Sequence, residues 1–161
     1  IAETKSENNE NPDEIDTTFT NVEFKGITND GSPYVVHSEF AEVNPEDVNI
    51  VYMSFVTARY YYKNNRTIII TGDNGKLNKI NGNINFENNV KMVDNNNNEL
   101  TSDYLDMIAS EDYAMAYSAV KVLTSEGESV LADRIKFDAI KNTLKISMLD
   151  EDKQIKIKLI Q

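Results

Sequence analysis

Ser129-Val130-Leu131-Ala132-Asp133-Arg134-Ile135-Lys136-Phe137-Asp138 reads locally as an ordinary strand, yet its pattern recurs. The pattern is an apolar residue, then a small residue followed by an acid, then two further small or apolar positions. Here these are Val130, Ala132, Asp133, Ile135 and Phe137. The same order reads Leu100, Ser102, Asp103, Leu105 and Met107, and Ile70, Gly72, Asp73, Gly75 and Leu77. A fourth copy is Val36, Ser38, Glu39, Ala41 and Val43. The small residues stand at 38, 72, 102 and 132, giving spacings of 34, 30 and 30. A period of this size marks stacked supersecondary units, none of which buries its apolar face alone.

Within each copy the apolar positions step by 2, then 3, then 2. Side chains alternate along a strand, so a step of 3 shifts the parity by one. One extra residue, a β-bulge or strand corner, returns the later apolar side chains to the same face. The small residue allows close backbone approach at the bend. The acid that follows it points outward, where it is solvated and discourages edge pairing.

Around these copies the chain alternates strand and turn. Phe19 to Thr28 is followed by Asn29-Asp30-Gly31, a strong turn signal. Asn44-Pro45-Glu46-Asp47 separates the first copy from the β-branched and aromatic run Val48 to Tyr62. Glu87-Asn88-Asn89 reads as a turn between two short strands, Asn83 to Phe86 and Val90 to Val93. On propensity, Ser110 to Met115 is a candidate short helix, but the repeat favours strand-turn-strand through Ser102 to Thr124. Residues 1–18 are polar and acidic and are expected to form a flexible lead-in to a domain spanning 19–161. The expected fold class is all-β: a twisted, open β-jellyroll of stacked antiparallel strand-turn-strand repeats.

Composition narrows function. The chain has 161 residues, a formal net charge of −11 and no cysteine. Such a charge disfavours nucleic acid, whose phosphates demand Lys and Arg, and disfavours adhesion to anionic membranes. No apolar run approaches the ~20 residues of a membrane span. The absence of cysteine excludes thiol catalysis and disulfides. A lone histidine, His37, supplies no metal cluster. Gly72 to Leu77 fails as a phosphate loop, because Leu77 stands where Ser or Thr is needed. Glu39, Asp73, Asp103 and Asp133 are candidate paired carboxylates, but their equivalence across the copies points to structure rather than catalysis. No nucleophile, base and oxyanion set is found, and no cofactor is expected.

The units in order resemble the periplasmic domain of LptC, in the LptC/LptA/OstA-like family. The resemblance rests on Val22-Glu23-Phe24-Lys25-Gly26, then Asp30-Gly31, then Tyr34-Val35-Val36-His37-Ser38-Glu39. It continues through Ile70 to Leu77, Leu100 to Met107, Val130 to Phe137 and the hairpin from Leu144 to Ile160. It implies non-enzymatic lipopolysaccharide transport. Lipid would be received from an LptB2FG-type ABC transporter of the inner membrane and passed to an LptA-type bridge protein. It also implies a periplasmic domain held by an N-terminal membrane anchor that this sequence does not include. A soluble LptA-like bridge and a structural or adhesive β-repeat domain are the competing readings.

On this reading, acyl chains lie along Val22, Phe24, Val36, Phe55, Ile70, Phe86, Met92, Met107, Val122, Val130 and Phe137. The last strand alternates, with Ile155, Ile157 and Leu159 on one face and Lys156 and Lys158 on the other. Together with Ile160 it is the expected edge for strand addition by a partner.

Overall fold

A computed structural model of the chain describes residues 3–7, 17–148 and 154–158. Those residues form eleven strands and no helix. They are β1 (Glu3–Glu7), β2 (Thr18–Ile27), β3 (Pro33–Asn44), β4 (Asp47–Tyr62), β5 (Arg66–Asn78) and β6 (Ile84–Asp94). They continue as β7 (Glu99–Ile108), β8 (Tyr113–Leu123), β9 (Ser129–Asp138), β10 (Thr143–Ser147) and β11 (Gln154–Lys158). Each pairs antiparallel with the next, so sheet order equals chain order and β1 and β11 are the two edges. Thus Glu3–Glu7, read from sequence as part of a lead-in, adds a strand to β2.

A crease crosses this sheet at mid-strand, and it explains the repeat. On β2 and β4 the crease residue has positive φ, Asn21 at 51° and Phe55 at 54°. On β6 two residues do so, Asn88 at 66° and Asn89 at 50°; on β8 they are Ser118 at 64° and Ala119 at 53°. Facing them on the odd strands are the repeated acids. Asp103 lies opposite Asn88-Asn89, between the pairs Glu87↔Tyr104 and Val90↔Ser102. Asp133 lies opposite Ser118-Ala119, between Tyr117↔Arg134 and Val120↔Ala132. The Asn89 side-chain amide donates to Asp73 at 2.7 Å, and the Ser118 hydroxyl donates to Asp103 at 2.7 Å. Asp73 and Asp103 therefore hold left-handed residues of the neighbouring strand, which is a structural role.

The same geometry corrects two readings of the sequence. Asn88-Asn89 is not a turn between strands but a bulge within the single strand β6. Asn tolerates positive φ, so the residues that signal a turn serve equally at a bulge. Ser110 to Met115 is not helical: Ala109 to Asp112 is a tight turn ending at Asp112, φ 54°, and β8 follows.

Small residues line the inside of the crease. Ser38 and Ser102 are buried, and their hydroxyls donate to the carbonyls of Phe40 and Tyr104, two residues on. Beyond them the inner face stays apolar. The step is three residues in β3, β5, β7 and β9, and four in β6 and β8, where two left-handed residues intervene. The buried apolar side chains from Val22 to Ile146 form one cluster.

The creased sheet folds over on itself. The β2–β3 and β4–β5 turns lie at one end of the meander, and the β7–β8 and β9–β10 turns lie at the other. A flat sheet would hold these ends roughly 30 Å apart. Instead the Asn29 N–H donates to the Ala109 carbonyl at 2.9 Å, and the Asp30 N–H to the Asp112 carboxylate at 3.0 Å. Arg66 donates to the Asn142 amide oxygen at 3.2 Å. Gly82, φ 76°, comes so close to the Tyr34 hydroxyl that no side chain fits there.

Ser118 tests the crease. Ser118→Val forces a β-branched residue into positive φ and should cost about 1–3 kcal/mol. Ser118→Gly removes the strain with the hydrogen bond and should stay within about 1 kcal/mol of wild type. Urea unfolding midpoints separate the two, and equal losses would contradict this account.

Candidate lipid-binding interior

Ten of the eleven apolar positions singled out from sequence come together in the interior. Val22, Phe24, Val36, Ile70, Phe86, Met92, Met107, Val122 and Phe137 are buried, and Val130 packs partly buried at the margin. Phe55 does not join them: it is 54% exposed. Its positive φ places it on the crease, between inward Met53 and inward Val56, and turns its side chain out. The run Val48 to Tyr62 was read from sequence only as β-branched and aromatic, without the bulge at Phe55. Interior residues outside the sequence-based set include Leu77, Ile84, Leu105 and Ile135, each at 0% exposure. Ile84, Leu105 and Ile135 each lie two positions from a named one with the same parity, and Leu77 ends the pattern copy that begins at Ile70, which was the available signal.

This interior is packed rather than hollow. A gap of about 20 Å³ opens beside Ile68, Met92, Leu100, Val122, Phe137 and Leu144, with Asp94 and Asn98 at its rim. That is room for about one water molecule. An acyl chain enters here only by displacing side chains, and Met92, unbranched and flexible, is the most adaptable of them. The strand ladders run within the sheet and not between its folded halves. Separating the halves away from the Asn29–Ala109 contact would therefore expose apolar surface and leave the strand ladders intact.

At the seam the interior is bounded by polar groups. Asp112 is buried and accepts hydrogen bonds from the Asp30 N–H and, at 3.4 Å, from the Tyr62 hydroxyl. Burial, then the carboxylates of Asp112 and Asp30, hold the Tyr62 phenol well above its ordinary pKa. Tyr60 is wholly buried against Tyr34, ring centroids 5.4 Å apart, and its hydroxyl has no hydrogen-bond partner among the described residues. Burial, then Tyr34 and Tyr62, raise its pKa strongly.

A much larger concavity, about 890 Å³, lies on the outer face below the crease. At the sheet's end, β11 pairs with β10 from Ser147↔Gln154 to Thr143↔Lys158. Ile155, Lys156, Ile157 and Lys158 thus belong to an edge strand, and Leu159 and Ile160 lie outside the described residues. Among the described residues no helix is long and apolar enough to cross a membrane.

The family model described as lipopolysaccharide-assembly, LptC-related, matches residues 1–147. No curated protein matches the chain.

Tyr60 supplies a test of the interior. A phenol whose folded pKa exceeds its unfolded value, about 10, contributes stability that is intact below that pH and lost above it. Stability should therefore fall as pH rises past about 10. Tyr60→Phe removes an unsatisfied buried hydroxyl and should raise stability by about 1 kcal/mol at pH 7. It should also flatten the alkaline decline, measured by urea unfolding at pH 8 and pH 11; a variant less stable than wild type at pH 7 would contradict the assignment.

Proposed function

From the premise that the chain belongs to the LptC-related lipopolysaccharide-assembly family, whose work is lipopolysaccharide transport, we propose that it is a non-enzymatic lipid carrier. The observation that carries this reading is the single apolar face shared by β2 to β10, the largest apolar surface the fold can offer a lipid. Each acyl CH₂ transferred from water is worth about 0.8 kcal/mol, so a few chains bind firmly without charge pairing. That suits a chain of net charge −11, which gains little from electrostatic capture of anions.

In this reading lipid arrives from an LptB2FG-type ABC transporter of the inner membrane. The folded halves part at the Met92–Val122 margin, and acyl chains replace side-chain contacts there. Transfer onward goes to an LptA-type bridge whose strand adds to the free edge of β11, continuing the sheet. The fully paired ladder needs no rearrangement for that addition. The domain works in the periplasm, held to the inner membrane by an N-terminal anchor.

Photocrosslinking tests the lipid route. A benzophenone side chain at Met92 or Val122 should crosslink lipopolysaccharide, and one at outward Phe55 should do so far less. Equal labelling at Phe55, or none at Met92 and Val122 in a folded protein, would refute the interior route. Removing Gln154–Gln161 should weaken binding of the bridge protein by at least about tenfold, as loss of a strand-addition edge requires. Unchanged binding in a pull-down titration would move the contact elsewhere.

A further inference from the structure

The 890 Å³ concavity on the outer face is not used by the lipid route. It is built from rows of outward side chains that cross the strands at fixed register. One row runs Phe40↔Ser54↔Asn74 and on through Glu87↔Tyr104↔Tyr117, from β3 to β8. The neighbouring row runs Glu42↔Tyr52↔Lys76↔Asn85↔Asp106. At about 4.8 Å per strand the first row extends roughly 24 Å.

The order of side chains along it is informative. Aromatic rings stand at both ends and polar groups between them. At one end Phe40 is 52% exposed and Tyr52 45%, more than packing explains. At the other, Tyr104 and Tyr117 stack with centroids 5.2 Å apart and planes 13° from parallel, so Tyr104 keeps one face turned along the row toward Glu87. Asp106 anchors this end. It accepts from the Asn85 amide at 2.8 Å, and burial, then the nearby Asp106 carboxylate, raises the Tyr117 pKa. The Asn85 amide oxygen remains an acceptor, and the Asn74 and Glu87 side chains make no hydrogen bond among the described residues. The lining carries one cation, Lys76, against the carboxylates Glu42 and Glu87.

We propose that this outer groove is a second binding site, for an uncharged oligosaccharide laid along the rows. Sugar rings present flat C–H faces that stack on aromatic rings, and hydroxyls that both donate and accept. The groove supplies ring faces at its ends, and amides and carboxylates in its middle that take hydroxyls in pairs. An acyl chain would leave the central polar groups unpaired, and a phosphorylated ligand would face an excess of carboxylates. Asp106 holds the Asn85 amide and Tyr104 stacks on Tyr117 beforehand, which lowers the ordering cost on association. The identification of the sugar as that of lipopolysaccharide rests on the function proposed above; the groove's preference for uncharged sugars does not.

The experiment is a ¹⁵N NMR titration of the folded chain with two probes. One is the polysaccharide released from lipopolysaccharide by mild acid, freed of lipid and dephosphorylated; the other is maltoheptaose. Shifts should concentrate on the two rows, and Tyr104→Ala should weaken binding roughly fivefold, the worth of one aromatic contact. Phe40→Ala, at the far end, should do the same and serves as the second variant should Tyr104→Ala not fold. Preference for the released polysaccharide supports the cargo's own sugar as ligand, and equal binding supports a general saccharide site. Absence of shifts with both probes, or affinity unchanged in both variants, would overturn the proposal. Benzophenone labelling at Met92 then reports on the lipid route separately, so failure of the groove leaves that result standing.

Discussion

The crease is the constraint on which the rest depends. In a strand, parity decides which side chains meet water, and a slip of one residue exchanges the two faces. To fold over, this sheet must bend at the same level on successive strands. Bending without correction would send each strand's second half outward. The left-handed residues at 21, 55, 88–89 and 118–119 prevent that by absorbing one or two residues per strand. Non-glycine residues in such conformations cost of order 1–3 kcal/mol each and persist only where their surroundings hold them. The cross-strand bonds Asn89 to Asp73 and Ser118 to Asp103 are part of that hold. Burial on both sides of the crease is the rest, since each large apolar side chain it returns inward is worth about 1.5–3 kcal/mol.

Two kinds of force then hold the molecule, and they run in different directions. Along the sheet, every strand is tied to its neighbours by backbone hydrogen bonds. Across the fold, the halves meet through apolar packing and a few polar contacts at the seam around Asp112, Tyr62, Arg66 and Asn142. Opening the interior away from the seam costs only hydrophobic contact, and acyl chains restore that contact. A packed core is therefore compatible with a lipid route, provided that the Arg66–Asn142 contact, which adjoins the gap, opens as the halves part. The small gap beside Met92, Val122 and Leu144 marks where packing is least complete.

The sequence revealed the crease through its odd strands. There the small residue and the acid occur at fixed positions, and the step of three is visible. It hid the even strands, whose bulges share a backbone conformation but no fixed residue pattern: Asn on β2 and β6, Phe55 on β4, and Ser118-Ala119 on β8. Hence Phe55 was assigned inward and Asn88-Asn89 was read as a turn. The interior was legible because alternation is a local property. The outer groove was not, because its rows run across the strands. Phe40, Tyr52, Tyr104 and Tyr117 are scattered over 78 positions of chain and become neighbours only through register.

Parity also bears on how one sheet would serve an amphipathic cargo. On β6 the inward Phe86 is flanked by the outward Asn85 and Glu87, so adjacent residues supply the apolar interior and the polar groove. On β4 the inward Met53 stands between Tyr52 and Ser54 in the same way. A single sheet can then offer an acyl-binding face and a sugar-binding face less than one strand thickness apart, without a second domain. For a molecule that joins acyl chains to saccharide, engaging both faces would be worth more than either alone, since the second contact is intramolecular once the first is made. The condition is geometric: the cargo must pass round an open margin of the fold to reach both faces. The margin at Met92 and Val122 lies above the crease and the groove below it, so the linking segment would have to cross the crease line near Asn88 and Asn89.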